Sequence, residues 1–91
     1  MPRVPSPAAA HIGGRIAEQR RRVGTTQDQL AAATDIDSSN VRVYEGGRAM
    51  PSILSLTRIA EALGVESGVL LDGLRSEMFP AAATDGRRRS A

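Results

Sequence analysis

A short stretch of the chain carries side chains that can donate, accept and pack against another molecule. Asp37 is suited to cap the start of a helix, because its carboxylate can accept hydrogen bonds from backbone N–H groups that lack a helical partner. Val41 and Tyr44 lie three residues apart and mark the buried face of that helix. The opposite face presents two hydroxyls, a guanidinium and a small apolar group, at Ser38, Ser39, Arg42 and Val43. We expect this face to be exposed and to contact another molecule.

A second helix is predicted immediately before this one. Thr26 can cap it, and Gln29, three residues later, can reach back to the cap residue in the arrangement called a capping box. The helix should end near Asp35, because Asp is one of the few residues besides glycine that tolerate a left-handed backbone. Residues 26–47 therefore predict two short helices joined by a tight turn.

Three further helices are predicted around this pair. The first runs from His11 to Val23, and its inward face carries Ile12, Ile16, Gln19, Arg20 and Val23. The fourth is capped by Ser52 and stopped by Gly64, with an inward face of Ile53, Leu56, Ile59, Ala60 and Leu63. The fifth is short and lies within residues 65–74. The predicted fold is therefore all-α, with five compact helices.

The predicted domain is residues 11–75, and we expect a flexible segment on each side. Residues 1–10 are expected to form a disordered arm, because three prolines interrupt any continuous helix there, at Pro2, Pro5 and Pro7. Residues 76–91 are expected to form a flexible tail that contains Arg87, Arg88 and Arg89.

Composition excludes several classes of function. A chain of 91 residues forms one small domain and leaves no room for a separate sensing or catalytic domain. Zero Cys and one His leave no disulfide and no zinc site, and we expect neither metal nor cofactor. No apolar stretch approaches the ~20 residues that span a bilayer, and no secretory signal is recognisable. We therefore expect a soluble cytoplasmic protein that does not bind membranes.

An enzyme is not expected. The neighbouring acids Asp35 and Asp37 are better explained as turn and cap residues than as a catalytic pair. One His provides no credible Ser-His-Asp set, and no glycine-rich phosphate loop follows a strand.

The charge is unevenly distributed along the chain. All twelve basic residues are Arg, and the formal net charge is +2. Acidic residues outnumber arginines by one between Ile12 and Leu74, whereas the two flanks together carry the positive excess. Any basic binding face must therefore arise from local clustering of arginines within the fold.

The stretch and its flanks resemble the Cro/lambda-repressor-like helix-turn-helix family, the xenobiotic-response-element type of bacterial and phage regulators. The residues that carry the resemblance are, in order, Gly24, Thr26, Gln27, Leu30, Ala31, Ile36, Val41, Tyr44, Glu45, Gly47, Pro51, Ser52, Ile59, Ala60, Ala62, Leu63, Gly64 and Val65. The chain departs from the family pattern at three places. Asp35 replaces the usual glycine of the turn, and Thr25 and Thr34 replace apolar residues.

The resemblance implies a role for each candidate residue. The second helix of the motif would lie in the DNA major groove, with base contacts from Ser38, Ser39, Arg42 and Val43. Phosphate contacts are implied for Gln27, Asn40 and Arg48, and a structural ion pair is implied between Arg20 and Glu45. Two alternatives stay open: a phosphate or solvent contact for Arg42, and burial beside Val41 for Val43. For Arg3 and for the three arginines of the tail, we favour a solvated end over a DNA contact.

The resemblance also implies the function: a sequence-specific transcriptional regulator, with repression favoured over activation, in the bacterial cytoplasm at the nucleoid. It would bind double-stranded DNA at a palindromic operator as a homodimer. The candidate interface is Val69, Leu70, Leu74, Met78 and Phe79, although such a cluster is equally consistent with core. The alternative is an antitoxin or adaptor of the same fold whose main partner is a protein.

Overall fold

The computed structural model describes residues 6–80, and within that range it is helical without a strand. The elements are α1 (Pro7–Arg22), α2 (Gln27–Thr34), α3 (Ser38–Glu45), α4 (Ile53–Leu63), α5 (Ser67–Leu71) and a 3₁₀ turn (Ser76–Met78). The predicted all-α fold with five helices is confirmed. In this part of the chain, no helix is both long enough and apolar enough to cross a membrane.

Helix α1 begins four residues earlier than predicted. The Ser6 hydroxyl accepts a hydrogen bond from the Ala9 amide at 3.0 Å and caps the helix. Pro7 occupies the first helical position, where its fixed φ is suitable and its missing N–H leaves no bond unmade. Ala8 and Ala9 are buried. The prediction of a disordered arm over residues 1–10 is therefore wrong for residues 6–10, and Arg3 lies outside the described residues.

The motif turn forms as predicted. The Thr26 side chain accepts from the Gln29 amide and the Gln29 side chain accepts from the Thr26 amide, which completes the capping box. Asp35 ends α2 with φ of 58°, in the left-handed region where the family usually has glycine. The buried Thr34 hydroxyl donates to carbonyls of its own helix, at Leu30 and Ala31. A polar residue is therefore accommodated under the turn without an unsatisfied group.

The core lies where the five helices meet. Its buried members are Ile12, Ile16, Leu30, Ala31, Val41, Leu56, Ile59, Ala60, Leu63 and Leu70. Two residues predicted to face inward do not: Ile53 is 77% exposed, and Val23 is also exposed. Ile53 is the first residue of α4 and Val23 follows the last residue of α1. The apolar face of each helix thus continues beyond the point where a neighbouring helix covers it.

Helices α1 and α3 approach each other so closely that only glycine fits at one contact. A Cβ atom added at Gly13 would lie 2.1 Å from the Tyr44 carbonyl oxygen and 2.9 Å from that of Glu45. Beyond α3, Gly47 has φ of 75°, and a Cβ there would lie 2.8 Å from the Ala10 Cα. The backbone of α1 therefore fixes the end of α3 and the start of the following loop.

Helix α5 is only five residues long and is held by side chains of α1. Arg15 donates from Nε and Nη2 to the Val69 carbonyl, at 2.9 and 2.6 Å. The His11 Nε2 atom lies 2.6 Å from the Asp72 carbonyl oxygen. The segment that follows forms the 3₁₀ turn Ser76–Met78, which differs from the flexible tail predicted from residue 76. Residues 81–91, with the three arginines of that prediction, lie outside the described part.

Candidate nucleic-acid interface

Helix α3 is anchored on one face and open on the other. Val41 is fully buried in the core, and Tyr44 packs partly against it. Outward, Ser39, Asn40 and Arg42 are exposed, whereas Ser38 and Val43 are half-buried. Val43 thus lies between the two alternatives left open by the sequence, with part of its side chain at the surface.

The start of α3 is organised by Asp37. Its Oδ1 atom accepts from the Ser39 amide at 2.9 Å and from the Ser39 hydroxyl at 2.7 Å. The hydrogen bond from the Ser39 side chain, then that from the Ser39 backbone, lowers the pKa of the Asp37 carboxyl below its usual value. The Ser39 hydroxyl donates its hydrogen bond to Asp37. Its oxygen can therefore act towards a ligand only as an acceptor.

The guanidinium of Arg42 is held between two helices. Nη1 donates to the Ser38 hydroxyl at 3.3 Å, and Nη2 donates to the Asp28 carboxylate at 3.1 Å. The Arg42 and Asp28 side chains are 50% and 74% exposed, so the pair faces solvent. Sequence reasoning missed Asp28, which lies fourteen residues away in the chain and in the first turn of α2. The crossing of α2 and α3 brings the two together.

A second network joins three helices at the other end of α3. Arg20 of α1 makes a two-pronged contact with Glu45, from Nε at 2.6 Å and from Nη2 at 3.1 Å. Gln27 of α2 donates to the same carboxylate at 2.9 Å, and Arg20 also donates to the Thr25 carbonyl. Hydrogen bonding to Glu45 raises the pKa of Arg20, against the opposing effect of burial. The residues named as an ion pair in the sequence are in contact.

Gln27 is therefore both a structural and a candidate contact residue. One amide N–H is used on Glu45, which leaves the second N–H of the side chain as a donor. The side chain lies at the start of α2, where unpaired backbone N–H groups and the helix dipole favour an anion. Asn40 and Arg48, the other candidate phosphate contacts, are both exposed. Arg48 lies in the loop that follows α3.

One candidate interface residue belongs to the core. Leu70 has 0% exposure and packs among the buried residues of the other helices, so it cannot meet a second copy. Leu70 is the one buried residue of the short helix α5, and it closes the core. Val69, Leu74 and Met78 are half-buried and Phe79 is exposed. Three other exposed apolar residues are Met50 and Leu54, for which the sequence predicted no role, and Ile53, which was predicted to face inward.

A metal centre is not formed by the described residues: across 6–80, no group of three or more His, Asp or Glu side chains is placed to hold an ion. The open groove beside the motif turn is lined by residues of α2, the turn and α3, among them Asp28, Asp35 and Asp37. The exposed face of α3 thus has acidic side chains at one edge and Arg42 within it.

Comparison with known proteins gives the same fold and motif. The model of a family described as helix-turn-helix matches residues 16–70. The cryptic phage CTXphi transcriptional repressor RstR of Vibrio cholerae is 35% identical over 54 residues, which are 59% of this chain and 48% of the repressor. The chain therefore spans about half the length of that relative.

Solved structures agree with this assignment. The restriction-modification controller protein C.AhdI from Aeromonas hydrophila has a TM-score of 0.66 and 31% identity, over 68% of this chain and 94% of that protein. SinR, the master regulator for biofilm formation, in complex with DNA has a TM-score of 0.65 and 31% identity, over 67% and 98% of the two chains. SinR in complex with SinI gives 0.66 and 31%, over 72% and 69%. The chain belongs to the helix-turn-helix family, of the Cro/lambda-repressor-like type.

Proposed function

We propose that this protein is a sequence-specific DNA-binding transcriptional regulator, acting as a repressor, that places α3 in the major groove. The observation that carries the proposal is that one face of α3 is held by the rest of the fold while the other face is exposed. Val41 and Glu45 fix the helix to the rest of the fold, while Ser39, Asn40 and Arg42 remain exposed. A rigid helix with polar side chains on its free face is what direct readout of base edges needs. The similarity of this chain to RstR, a transcriptional repressor, supports the same function.

Base readout is assigned to four side chains of α3. Arg42 can donate two hydrogen bonds to guanine O6 and N7, a contact that contributes ~1–3 kcal/mol of discrimination. Ser38 and Ser39 can form hydrogen bonds with base edges. The Ser39 oxygen acts as an acceptor there, because its hydroxyl donates to Asp37. The exposed part of Val43 can pack on a thymine methyl group.

Phosphate contacts position α3 without reading sequence. Gln27 and the first turn of α2 would take one phosphate, and Asn40 and Arg48 would take others. Each phosphate neutralised by an arginine steepens the dependence of log K on log salt by ~0.9. Arg48 is therefore the residue whose loss should change the salt dependence, whereas Gln27 is neutral and should change affinity alone.

Two copies are needed for useful specificity, because one unit reads only a few base pairs. We infer a homodimer on a palindromic operator, with half-site centres ~34 Å apart. The interface is assigned to the end of the described chain, where Val69, Leu74, Met78 and Phe79 keep surface to offer.

A second candidate is a module whose main partner is a protein. SinR, which shares this fold, forms such an assembly with SinI. The exposed apolar residues Met50, Ile53 and Leu54 offer this chain a surface for a protein partner, and the acidic balance between Ile12 and Leu74 is less suited to DNA.

The test is selection of bound sequences from a random DNA pool, followed by titration of the selected site. We expect a palindrome. Arg42→Ala should weaken binding and relax one position of each half-site, Gln27→Ala should weaken binding to all sequences, and Arg48→Ala should reduce the salt slope by ~0.9. The control is Arg58→Ala, which removes an exposed arginine of α4 that lies outside the proposed DNA-binding and dimer surfaces. Unchanged affinity in the three interface variants, or the absence of any selected sequence, would overturn the assignment.

A further inference from the structure

We propose that Asp28 determines specificity, by holding Arg42 in the direction of one base pair and away from phosphates. The proposal rests on the proposed function and assigns a role to a residue outside the recognition helix. Its basis is the contact between the first turn of α2 and the exposed face of α3.

The geometry fixes the guanidinium and leaves it able to bind. Arg42 has one anchor on each helix of the motif: the Asp28 carboxylate at 3.1 Å and the Ser38 hydroxyl at 3.3 Å. A guanidinium has five N–H donors, and these two bonds use two of them. The remaining donors can reach a guanine edge while both anchors persist. An arginine ordered before binding loses less side-chain entropy when it binds.

The charge of Asp28 discriminates between two kinds of contact. A phosphate that approaches Arg42 from the side of α2 meets the Asp28 carboxylate, and it must displace that carboxylate to make a two-pronged contact. A guanine edge carries no net charge and does not compete for the same donors. Asp28 therefore disfavours the phosphate contact, which every DNA sequence offers, and does not affect the guanine contact, which only one base offers. This increases the ratio of specific to non-specific affinity.

A purely stabilising role does not account for the pair. Both side chains are largely exposed, and exposed ion pairs contribute little to folding stability. The chain offers a matched comparison in Glu61, an exposed carboxylate of α4 that lies outside both helices of the motif and outside the residues assigned to the dimer interface. Glu61→Gln removes the same kind of carboxylate without touching the motif.

The experiment compares Asp28→Asn, Glu61→Gln and the unchanged protein by selection from random DNA and by titration of specific and unrelated duplexes. The base pair read by Arg42 is identified as the position that Arg42→Ala relaxes. For Asp28→Asn, we expect discrimination at that base pair to fall by about fivefold or more, within the range of one bidentate contact. We expect affinity for unrelated DNA to rise, with a salt slope steeper by ~0.9 as Arg42 becomes free to bind phosphate. Glu61→Gln should change neither quantity.

The double variant Asp28→Asn/Arg42→Ala separates positioning from simple repulsion. We expect it to discriminate at that base pair no better and no worse than Arg42→Ala alone, since Asp28 acts there through Arg42. If Asp28→Asn raises affinity for all duplexes equally and keeps the discrimination, the proposal is overturned and the proposed function stands. If the unchanged protein selects no sequence at all, both fail.

Discussion

Glu45 connects three helices through one carboxylate. It accepts from Arg20 of α1 and Gln27 of α2 while belonging to α3, and the Arg20 and Glu45 side chains are only 15% and 7% exposed. Removing one member of such a pair leaves the other charge buried without its partner. The network therefore couples the stability of the domain to the orientation of α3.

We predict that Glu45→Gln destabilises the domain by about 3 kcal/mol, the low end of the range for breaking a buried pair. The amide keeps the size of the side chain and removes the charge that Arg20 needs. Urea unfolding followed by circular dichroism measures the loss. Glu77→Gln, in an exposed pair, should leave the unfolding free energy nearly unchanged. Equal effects of the two variants would contradict the structural role of Glu45.

We predict that the carboxyl group of Asp37 makes the stability of the folded domain depend on pH. Its pKa is lowered in the folded state by the hydrogen bonds from Ser39, so the folded protein binds this proton more weakly than the unfolded chain does. The resulting stability is fully present above the unfolded value of ~3.9 and is lost as pH falls through the folded pKa. An asparagine at this position would cap the helix without titrating.

The measurement is the melting temperature of the unchanged protein and of Asp37→Asn between pH 2 and pH 7. We expect the difference between them to be constant above about pH 5 and to shift against the unchanged protein below about pH 4. Parallel curves throughout would show that the Ser39 hydrogen bonds do not favour the ionised form.

Local sequence signals identified the residues that act on their own helix. Thr26, Asp35 and Asp37 were predicted as cap and turn residues, and the structure places them so. The contacts of Asp28 with Arg42 and of Gln27 with Glu45 were not predicted. The two residues of each contact are fourteen and eighteen positions apart in the chain, respectively. Periodicity shows on which face of its helix a residue lies, but it does not show which other helix packs against that face.

Among the helices, the contact between α1 and α3 is set by a glycine. We predict that Gly13→Ala destabilises the domain by about 1–3 kcal/mol, as overpacking does, because the new methyl group meets the backbone oxygens of Tyr44 and Glu45. Gly14→Ala is the matched control: nothing lies within 4 Å of its Cβ position. That variant should gain ~0.5–1 kcal/mol from helix propensity. Thermal unfolding of both should therefore give shifts of opposite sign, and shifts of the same sign would contradict the close approach.

The number and order of the helices and the caps of α2 and α4 followed from the sequence, whereas the start of α1 did not. The three prolines predict a disordered arm and a helix that starts at His11, although Pro7 at the first helical position favours the helix. Ile53 and Val23 were assigned to the core because they continue an apolar pattern. A pattern cannot show where the neighbouring helix stops covering it.

For the whole molecule, Leu70 and Phe79 distinguish the core from the proposed dimer interface: Leu70 is buried and Phe79 is exposed. We predict that Leu70→Ala lowers the unfolding free energy by about 2–5 kcal/mol, as for other buried leucines, because the side chain is fully enclosed. Phe79→Ala should leave monomer stability within ~0.5 kcal/mol, since the ring is exposed. Denaturant titration at low protein concentration measures both.

The same Phe79→Ala variant tests the proposed dimer. We expect it to weaken self-association by about tenfold or more, as loss of an aromatic anchor does, when mass is followed by sedimentation over a range of concentrations. Self-association that is unchanged in this variant but lost in Ile53→Ser would move the interface to the start of α4. A protein that stays monomeric at high concentration, with and without DNA, would remove the dimer altogether.

The early start of α1 has a practical consequence for anyone producing the protein. Ala10 of its first turns lies against Gly47, just after α3, and Ala8 and Ala9 are enclosed. A shortened version beginning at His11, as the amphipathic pattern alone would suggest, would lose the Ser6 cap and open a gap beside that glycine. Purification handles should therefore be attached ahead of Ser6 with a spacer, and trimming should stop before it.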